Sequence, residues 1–234
     1  EALVRLLDAM VAMQLLNKDG SHYVNIPSAA KFLSKNSPAY IGYMILHHHH
    51  LVNSWSRLDE AVSSGKPVRT RSSFSDEKVR EAFLMGMFNN SRLMAPQVVK
   101  QIDLSQHKRM LDLGGGPGTY AIFFCKEYPA LNATVYDLPT SQPFAEKTIA
   151  QFGLSEQIDF VGGDFVEEDL SGQYDFVWLS HILHGEGPQT CQQIISKAYQ
   201  VLEPGGMIGI HEFILNDDRS GPLFPVLFTL NILL

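Results

Sequence analysis

The hydrophobic positions of this chain follow two rhythms. Between residues 109 and 213, short apolar runs alternate with longer stretches whose apolar residues recur every three to four positions. Strands buried on both faces read as near-continuous apolar runs, and amphipathic helices read as periodic ones. The runs predict strands at 110–113, 132–139, 158–165, 174–180 and 207–213, the last preceded by a turn at Pro204-Gly-Gly206. The periodic stretches predict helices at 120–127, 142–152 and 189–202, the last with Ile194, Ile195, Ala198, Val201 and Leu202 at helical spacing. This alternation predicts an α/β fold with a mostly parallel, doubly wound sheet.

The first 65 residues are patterned differently. Leu3, Leu6, Leu7, Met10, Val11, Leu15 and Leu16 form one helical face, and Gly20 is expected to end that helix. Residues 22–25, His-Tyr-Val-Asn, read as a short strand, and Pro27 suits the first position of the next helix. Helix, wing and helix in this order make a winged-helix-like unit. Residues 66–75, rich in charge, Pro and Ser, are expected as a surface connection. Asp76 and Glu77 then suit the dipole of a helix start. The expected division is 1–75 and 76–234.

Candidate chemistry sits at the ends of the predicted strands, where open α/β sheets bind ligands. The first strand breaks into Gly114-Gly-Gly-Pro-Gly118. Glycine lets a backbone turn sharply and approach a ligand closely. A dinucleotide-binding turn would read G-x-G-x-x-G. Here Gly114, Gly116 and Gly118 lead into Thr119, and the third glycine is displaced. Asp112, two residues before the first glycine, suits the cationic amino end of a small ligand better than a pyrophosphate. A plain structural strand-turn-helix is the alternative. The second strand ends in Asp137, able to accept both hydroxyls of a ribose. The third ends in Gly162-Gly-Asp164-Phe165, an acceptor for an adenine amino group beside a ring for its face. Each acid alone is equally readable as a turn or cap residue. Three in order on successive strand ends argue for one ligand.

The glycine turn resembles motif I of the class I methyltransferases that bind S-adenosylmethionine (SAM). Leu111-Asp-Leu-Gly-Gly-Gly-Pro-Gly118, Asp137-Leu-Pro139, Gly162-Gly-Asp-Phe165, Leu179-Ser-His-Ile-Leu-His184, Glu203-Pro-Gly-Gly206 and His211-Glu-Phe-Ile-Leu215 together resemble a closer group. It is the SAM-dependent O-methyltransferases of the plant caffeate and hydroxyindole type, which include bacterial small-molecule and polyketide tailoring enzymes. The resemblance extends upstream through Phe83-Leu-Met-Gly-Met87 and residues 1–65, nearly the whole chain. It implies a Rossmann-like class I methyltransferase domain preceded by a helical, winged-helix-like dimerisation domain. It implies SAM as methyl donor, S-adenosylhomocysteine as product, and a small hydroxylated, aromatic acceptor. The cofactor set is then Asp112, Gly114, Gly116, Asp137, Leu138, Asp164, Phe165 and Ser180. Met87 and Asn90 match places where the family touches its acceptor, and His181 joins them; an ordinary core position is the alternative for the methionine. Relative to the family the chain looks trimmed at both ends, without the head helices and without the closing helix and two-strand hairpin.

Methyl transfer from a sulfonium is an in-line displacement, so the acceptor oxygen must be aligned and nucleophilic. A phenol, with a pKa of about 10, is a poor nucleophile until deprotonated, and histidine is the natural general base. The family's base follows an apolar pair, which fits Ile182-Leu183-His184, and its acid follows the fifth strand, which fits Glu212, 28 positions on. His184 is the expected base and Glu212 the carboxylate that orients it. His181 as base is the alternative. Where the family continues with Asp-Trp, this chain has Gly185-Glu-Gly-Pro188. That departure keeps open a SAM-binding relative with non-methylating chemistry, and the winged-helix-like segment keeps open a SAM-sensing regulator.

Composition narrows the partners. The net charge of -7 hides an asymmetry. Residues 1–100 hold 12 Lys/Arg and 8 Asp/Glu, a net +4; residues 101–234 hold 6 and 17, a net -11. The basic half mildly favours DNA, but the first helix carries only Arg5 beside Glu1 and Asp8, too few cations to read a groove. No nucleic-acid partner is expected. The two cysteines, Cys125 and Cys191, fall within predicted helices; Cys125, in an apolar stretch, suggests a packed thiol, nothing points to an oxidising compartment, and the cytoplasm is expected. The apolar tail 223–234 is too short to span a bilayer and contains Pro225, so no membrane is expected. His47 to His50 point about 100° apart on a helix, so at most two could share a metal, and no metal is expected. One or two of these imidazoles are expected to face the active-site cleft. The apolar faces of residues 1–16 and 223–234 would be sticky on a monomer, which predicts a homodimer.

Overall fold

The computed structural model describes residues 1–69 and 76–234. Most of the expected 66–75 connection, and the division at residue 75, lies outside them. Helix α1 (Ala2–Ala12) stops before its apolar face does. Gln14 turns the chain with φ 57°, and Leu16 enters strand β1 (Leu16–Asp19), which pairs antiparallel with β2 (His22–Asn25). Gly20, expected as a helix end, is instead the turn of this hairpin, at φ 55°. Cross-strand pairing outcompetes one more turn of helix there. Helix α2 (Pro27–Leu33) begins on Pro27 as expected, and α3 (Gly42–Trp55) and α4 (Leu58–Ser64) follow. The long α5 (Glu77–Val98) is capped by Asp76, whose side chain accepts from the N–H groups of Lys78 and Val79. α3 packs along α5, with Met44 against Gly86 and His47 against Phe83.

The sheet follows. Strands β3 (Arg109–Leu113), β4 (Asn132–Asp137), β5 (Ile158–Gly162), β6 (Tyr174–Ser180) and β7 (Leu202–His211) are all parallel, in the order β5-β4-β3-β6-β7. Helices α6 (Thr119–Glu127), α7 (Gln142–Gln151) and α8 (Pro188–Gln200) make the crossovers. Successive strands step outward from β3 on one side and then resume on the other, so the direction reverses between β3 and β6. Ligands bind outside the strand ends at such a switch point. Met110 packs with Ile122, Phe124 and Phe176 on one face of the sheet, while Leu111 and Leu113 pack with Ile194 and Ala198 on the other. Burial on both faces is why these strands read as unbroken apolar runs.

Three expectations are corrected in the sheet and the tail. Pro204-Gly-Gly206 is not a turn before the fifth strand but a bulge inside it: the register jumps from Tyr174 opposite Leu202 to Phe176 opposite Met207. The third strand stops at Gly162, which leaves Asp164 and Phe165 in the following turn. The tail, in which no closing helix was expected, forms α9 (Leu223–Leu233), with Pro225 in its first turn, where a missing N–H costs nothing. Among the described residues no helix is long and apolar enough to cross a membrane.

Candidate active site

The glycine turn leaves β3 with Gly114, Gly116 and Gly118 at φ 65°, 51° and 75°. At Gly114 the turn passes between two side chains: an added Cβ would lie 2.5 Å from Ile182 Cγ2 and 3.2 Å from Phe165 Cε1. At Gly116 an added Cβ would meet only Leu84 Cδ2, at 3.6 Å, so its Cα borders open space beside α5. Asp112 lies beneath the turn, 1% exposed, and its Oδ2 accepts from the Ala121 N–H at 3.0 Å. It ties the first turn of α6 to the sheet and offers a ligand almost no surface. Burial pushes its carboxyl up to about 7; the Ala121 N–H opposes that shift and the charge of Asp137 adds to it.

Asp137 ends β4 at the rim of the turn. Its Oδ1 accepts from the Leu138 N–H at 2.8 Å and the Ser141 hydroxyl at 2.7 Å, and its Oδ2 accepts from the Gly116 N–H at 2.8 Å. A carboxylate oxygen has room for two donors, so one position remains on Oδ2. Burial raises this carboxyl too, against those hydrogen bonds, and no cation offsets either shift among the described residues. Asp164 and Phe165 follow β5, with Phe165 beside Gly114. These residues fit SAM: a cradle open at Gly116, a half-buried acid on its rim with an acceptor position to spare, and a fully buried acid beneath it, with no cation beside either among the described residues.

The catalytic histidine candidates lie at the end of β6. His184 Nδ1 is 2.8 Å from Glu212 Oε2, and the Leu183 N–H donates to Glu212 Oε1 at 2.8 Å. A carboxylate only accepts, so Nδ1 carries the proton and Nε2 keeps a lone pair. His181 Nδ1 is 3.6 Å from the same Glu212 oxygen, beyond hydrogen-bond reach. Its residue is left-handed at φ 57°, and its N–H donates to the His211 carbonyl at 2.9 Å. Burial would raise the Glu212 carboxyl, but the two imidazoles and the Leu183 N–H outweigh it and hold the group well below the usual carboxylate range. The ligating atoms of His181, His184 and Glu212 lie within 4.8 Å of one another, a spacing a metal could also use. The 2.8 Å separation is that of a hydrogen bond, shorter than the ~3.3 Å between ligands held at ~2.0–2.1 Å around tetrahedral zinc.

Ser180, expected at the cofactor, lies 3.2 Å from His211 Nδ1, which also meets the Tyr120 hydroxyl at 3.1 Å. A cavity of about 230 Å³ opens beside His184, walled by Phe213, Leu215, Pro225, Phe228, Thr229 and Ile232. His184 and Phe213 each lie 5.1 Å from the Phe228 ring, between centroids. Met87 and Asn90 are not in its wall; Asn90 Nδ2 is 4.0 Å from Met44 Sδ on α3. The histidine run does not face this cavity either, which corrects that expectation. His47 is buried 5.3 Å from Phe83, and burial, with neighbouring positive charge, pushes its imidazole down to about 4. His48 lines a separate groove with Leu51, Val52 and Trp55. Sequence reasoning missed Phe213, Phe228, Tyr120 and His211. Tyr120, directly after the glycine turn, was the one with a positional signal.

A parallel sheet with a glycine turn at its switch point, acids on successive strand ends and a histidine–carboxylate pair beside an aromatic cavity define a class I SAM-dependent methyltransferase. An O-methyltransferase domain model matches residues 55–234. The 3-hydroxy-5-methyl-1-naphthoate 3-O-methyltransferase of Streptomyces sahachiroi is 34% identical, over 97% of this chain and 68% of its own length. The tetracenomycin polyketide synthesis 8-O-methyl transferase of Streptomyces glaucescens is 32% identical, over 97% and 69%. The structure of human N-acetylserotonin methyltransferase in complex with SAM superposes with a TM-score of 0.83 at 28% identity, covering 100% of this chain and 71% of that one. The chain belongs to the O-methyltransferase family and is a SAM-dependent O-methyltransferase.

Proposed function

We propose that this enzyme methylates a hydroxyl on a small aromatic molecule, with His184 as general base. The 2.8 Å pair of His184 and Glu212 at the mouth of a cavity walled by Phe213 and Phe228 carries this reading. SAM, when bound, supplies a methyl group already activated on a sulfonium. Asp137 meets the ribose through its spare Oδ2 position, Asp164 and Phe165 meet the adenine, and Leu138 and Ser180 complete the cofactor's walls. Gly114 and Gly116 would hold its amino end, with the carboxyl of Asp112 beneath the turn. His184 Nε2 takes the acceptor proton, and Glu212 stabilises the imidazolium that results. Phe213 and Phe228 align a flat ring and exclude water; Met87 and Asn90 on α5, which do not line this cavity, and His181 are further acceptor contacts in this reading. The names of the naphthoate, tetracenomycin and N-acetylserotonin relatives support an aromatic acceptor.

The same reading covers the assembly. Leu3, Val4 and Leu6 on α1 and Leu223, Phe224 and Leu227 on α9 are exposed apolar residues, suited to a second copy of the chain. Residues 1–75 would be the dimerisation unit and 76–234 the catalytic unit. Neither nucleic acid nor membrane has a role, and the unpaired Cys125 and Cys191 suit the cytoplasm.

Single-turnover methyl transfer tests the base. His184→Ala lowers the rate by about 10²–10⁴ and leaves SAM affinity nearly intact. The loss shrinks for acceptors with more acidic phenols, which arrive already ionised. His181→Ala costs much less. A silent His184→Ala beside a dead His181→Ala would place the base three residues upstream.

A further inference from the structure

We infer that Lys197, on α8, fixes the adenine end of the cofactor site; this rests on the reading that Asp164 and Phe165 meet the adenine. The turn after β5 is closed at its start by its own side chains. Asp164 Oδ1 accepts from the Val166 N–H at 2.9 Å, and Glu168 Oε1 accepts from the Asp164 N–H at 3.1 Å. The reciprocal pair has the logic of a helix capping box. A single turn cannot satisfy the carbonyls at its other end. Lys197 reaches them from α8, and its ammonium donates to the carbonyls of Phe165 at 3.2 Å, Val166 at 2.8 Å and Glu168 at 2.7 Å. An ammonium has three donors and no acceptor, so this one turn saturates it.

The anchor is firm at both ends. Ile194 and Ala198, on either side of Lys197, are buried against the sheet with Leu111 and Leu113. The turn it grips carries Phe165, whose ring borders the glycine turn: a Cβ added at Gly114 would lie 3.2 Å from Phe165 Cε1. Lys197 therefore acts as a positioning residue. It touches no ligand, and it ties the adenine platform to the same core that holds β3 and its glycine turn. A lysine in the last turn of a helix normally reads as a solvated charge that suits the helix dipole, which is why its role is invisible in the sequence.

Replacing Lys197 tests this in the full-length protein. In cofactor-free Lys197→Met, the amides of residues 165–168 should exchange faster while those of β3 and β6 keep their protection. Calorimetry should show S-adenosylhomocysteine and methylthioadenosine, which lacks the amino-acid end, weakened by the same factor, roughly tenfold. KM for SAM should rise with kcat at saturation within about twofold, since the base is untouched. Lys197→Cys in a Cys191→Ser background, alkylated to restore an aminoethyl ammonium, should regain affinity; comparison before and after alkylation serves equally if the Met variant does not fold. Unchanged exchange at 165–168 would overturn the inference alone. Faster exchange with unchanged affinity would overturn it together with the Asp164 and Phe165 assignment. Weakening of S-adenosylhomocysteine but not methylthioadenosine would place the effect at the amino-acid end and overturn it as well.

Discussion

Asp112 and Glu212 are both carboxylates withdrawn from water at the C-terminal edge of one sheet, yet burial leaves them in opposite states. Asp112 receives one backbone N–H and the negative charge of Asp137, and it is pushed up to about 7. Glu212 is less deeply buried and burial pushes it up too, but two imidazoles and the Leu183 N–H hold it far below its ordinary range. The acceptor half of the site is electrostatically complete before any ligand arrives. The cofactor half is not: Asp112 is buried and Asp137 half-buried, and neither has a cation beside it among the described residues. SAM carries a sulfonium and an ammonium, which is the charge this half lacks.

The largest expected effect comes from breaking the complete half. Glu212→Gln keeps the volume but leaves one oxygen to serve both the Leu183 N–H and His184 Nδ1. Turnover should fall roughly 10²–10³-fold, between the wild type and His184→Ala, with SAM affinity unchanged. Stopped-flow methyl transfer measures it. An unaltered rate would mean that Glu212 holds the loop through Leu183 and does not orient the base.

The matching cut in the incomplete half is Asp137→Ala. It removes a charged acceptor facing the ribose and frees the N–H groups of Gly116 and Leu138. SAM binding should weaken by about 1.5–3 kcal/mol, with kcat at saturation changing little. Calorimetry showing wild-type affinity would remove Asp137 from the cofactor site.

How much of this was legible in the sequence differs between the halves for the same physical reason. The cofactor half is local: a strand, a glycine turn and a helix start lie within Arg109–Glu127, and buried parallel strands announce themselves as apolar runs. The strand-end acids could be placed by order alone. The acceptor half is assembled from distant segments. The pairing of His184 with Glu212, 28 positions apart, came from family resemblance and not from periodicity. Phe213 and Phe228 meet only because α9 folds back over the end of β7, and α9 is apolar all round, which leaves no face to read. The bulge at Pro204-Gly-Gly206 misled because local turn chemistry is indifferent to whether the strand resumes in register. Gly20 misled because nothing local shows that Leu16 prefers a hairpin partner to another turn of helix. Four identical histidines gave no hint that Phe83 would bury only His47.

The two acids also predict opposite slopes of stability against pH in the cofactor-free protein. Glu212 is depressed in the folded state, so its stabilisation is present above its unfolded pKa of about 4.5 and is lost as pH falls below it. Asp112 is raised, so the folded state holds its proton more tightly, and stability is lost as pH rises from about 4 to about 7. Asp112→Asn keeps an acceptor for the Ala121 N–H and removes the burden of a buried charge. At pH 8 it should be more stable than the wild type by roughly 1–3 kcal/mol, less than full conversion of the shift would give, and equal to it near pH 4. Denaturant melts across that window check the sign. A variant less stable at every pH would show that the ionised Asp112 has a partner.

The smallest effect joins the two sides of the comparison. A cation bound over the glycine turn favours ionised Asp112, so binding SAM below pH 7 must release the proton that burial had retained. Acidification then opposes binding. Between pH 8 and pH 6 the wild-type affinity for SAM should fall by up to about tenfold, the limit for a single group titrating near 7. S-adenosylhomocysteine has the ammonium but no sulfonium, so its dependence should be shallower, and the difference isolates the sulfonium's share. In Asp112→Asn both curves should flatten over this range. Calorimetry in two buffers of different ionisation enthalpy counts the released proton directly. If the wild type releases none at pH 6.5, Asp112 stays protonated beneath the bound cofactor, and its role is confined to tying α6 to the glycine turn.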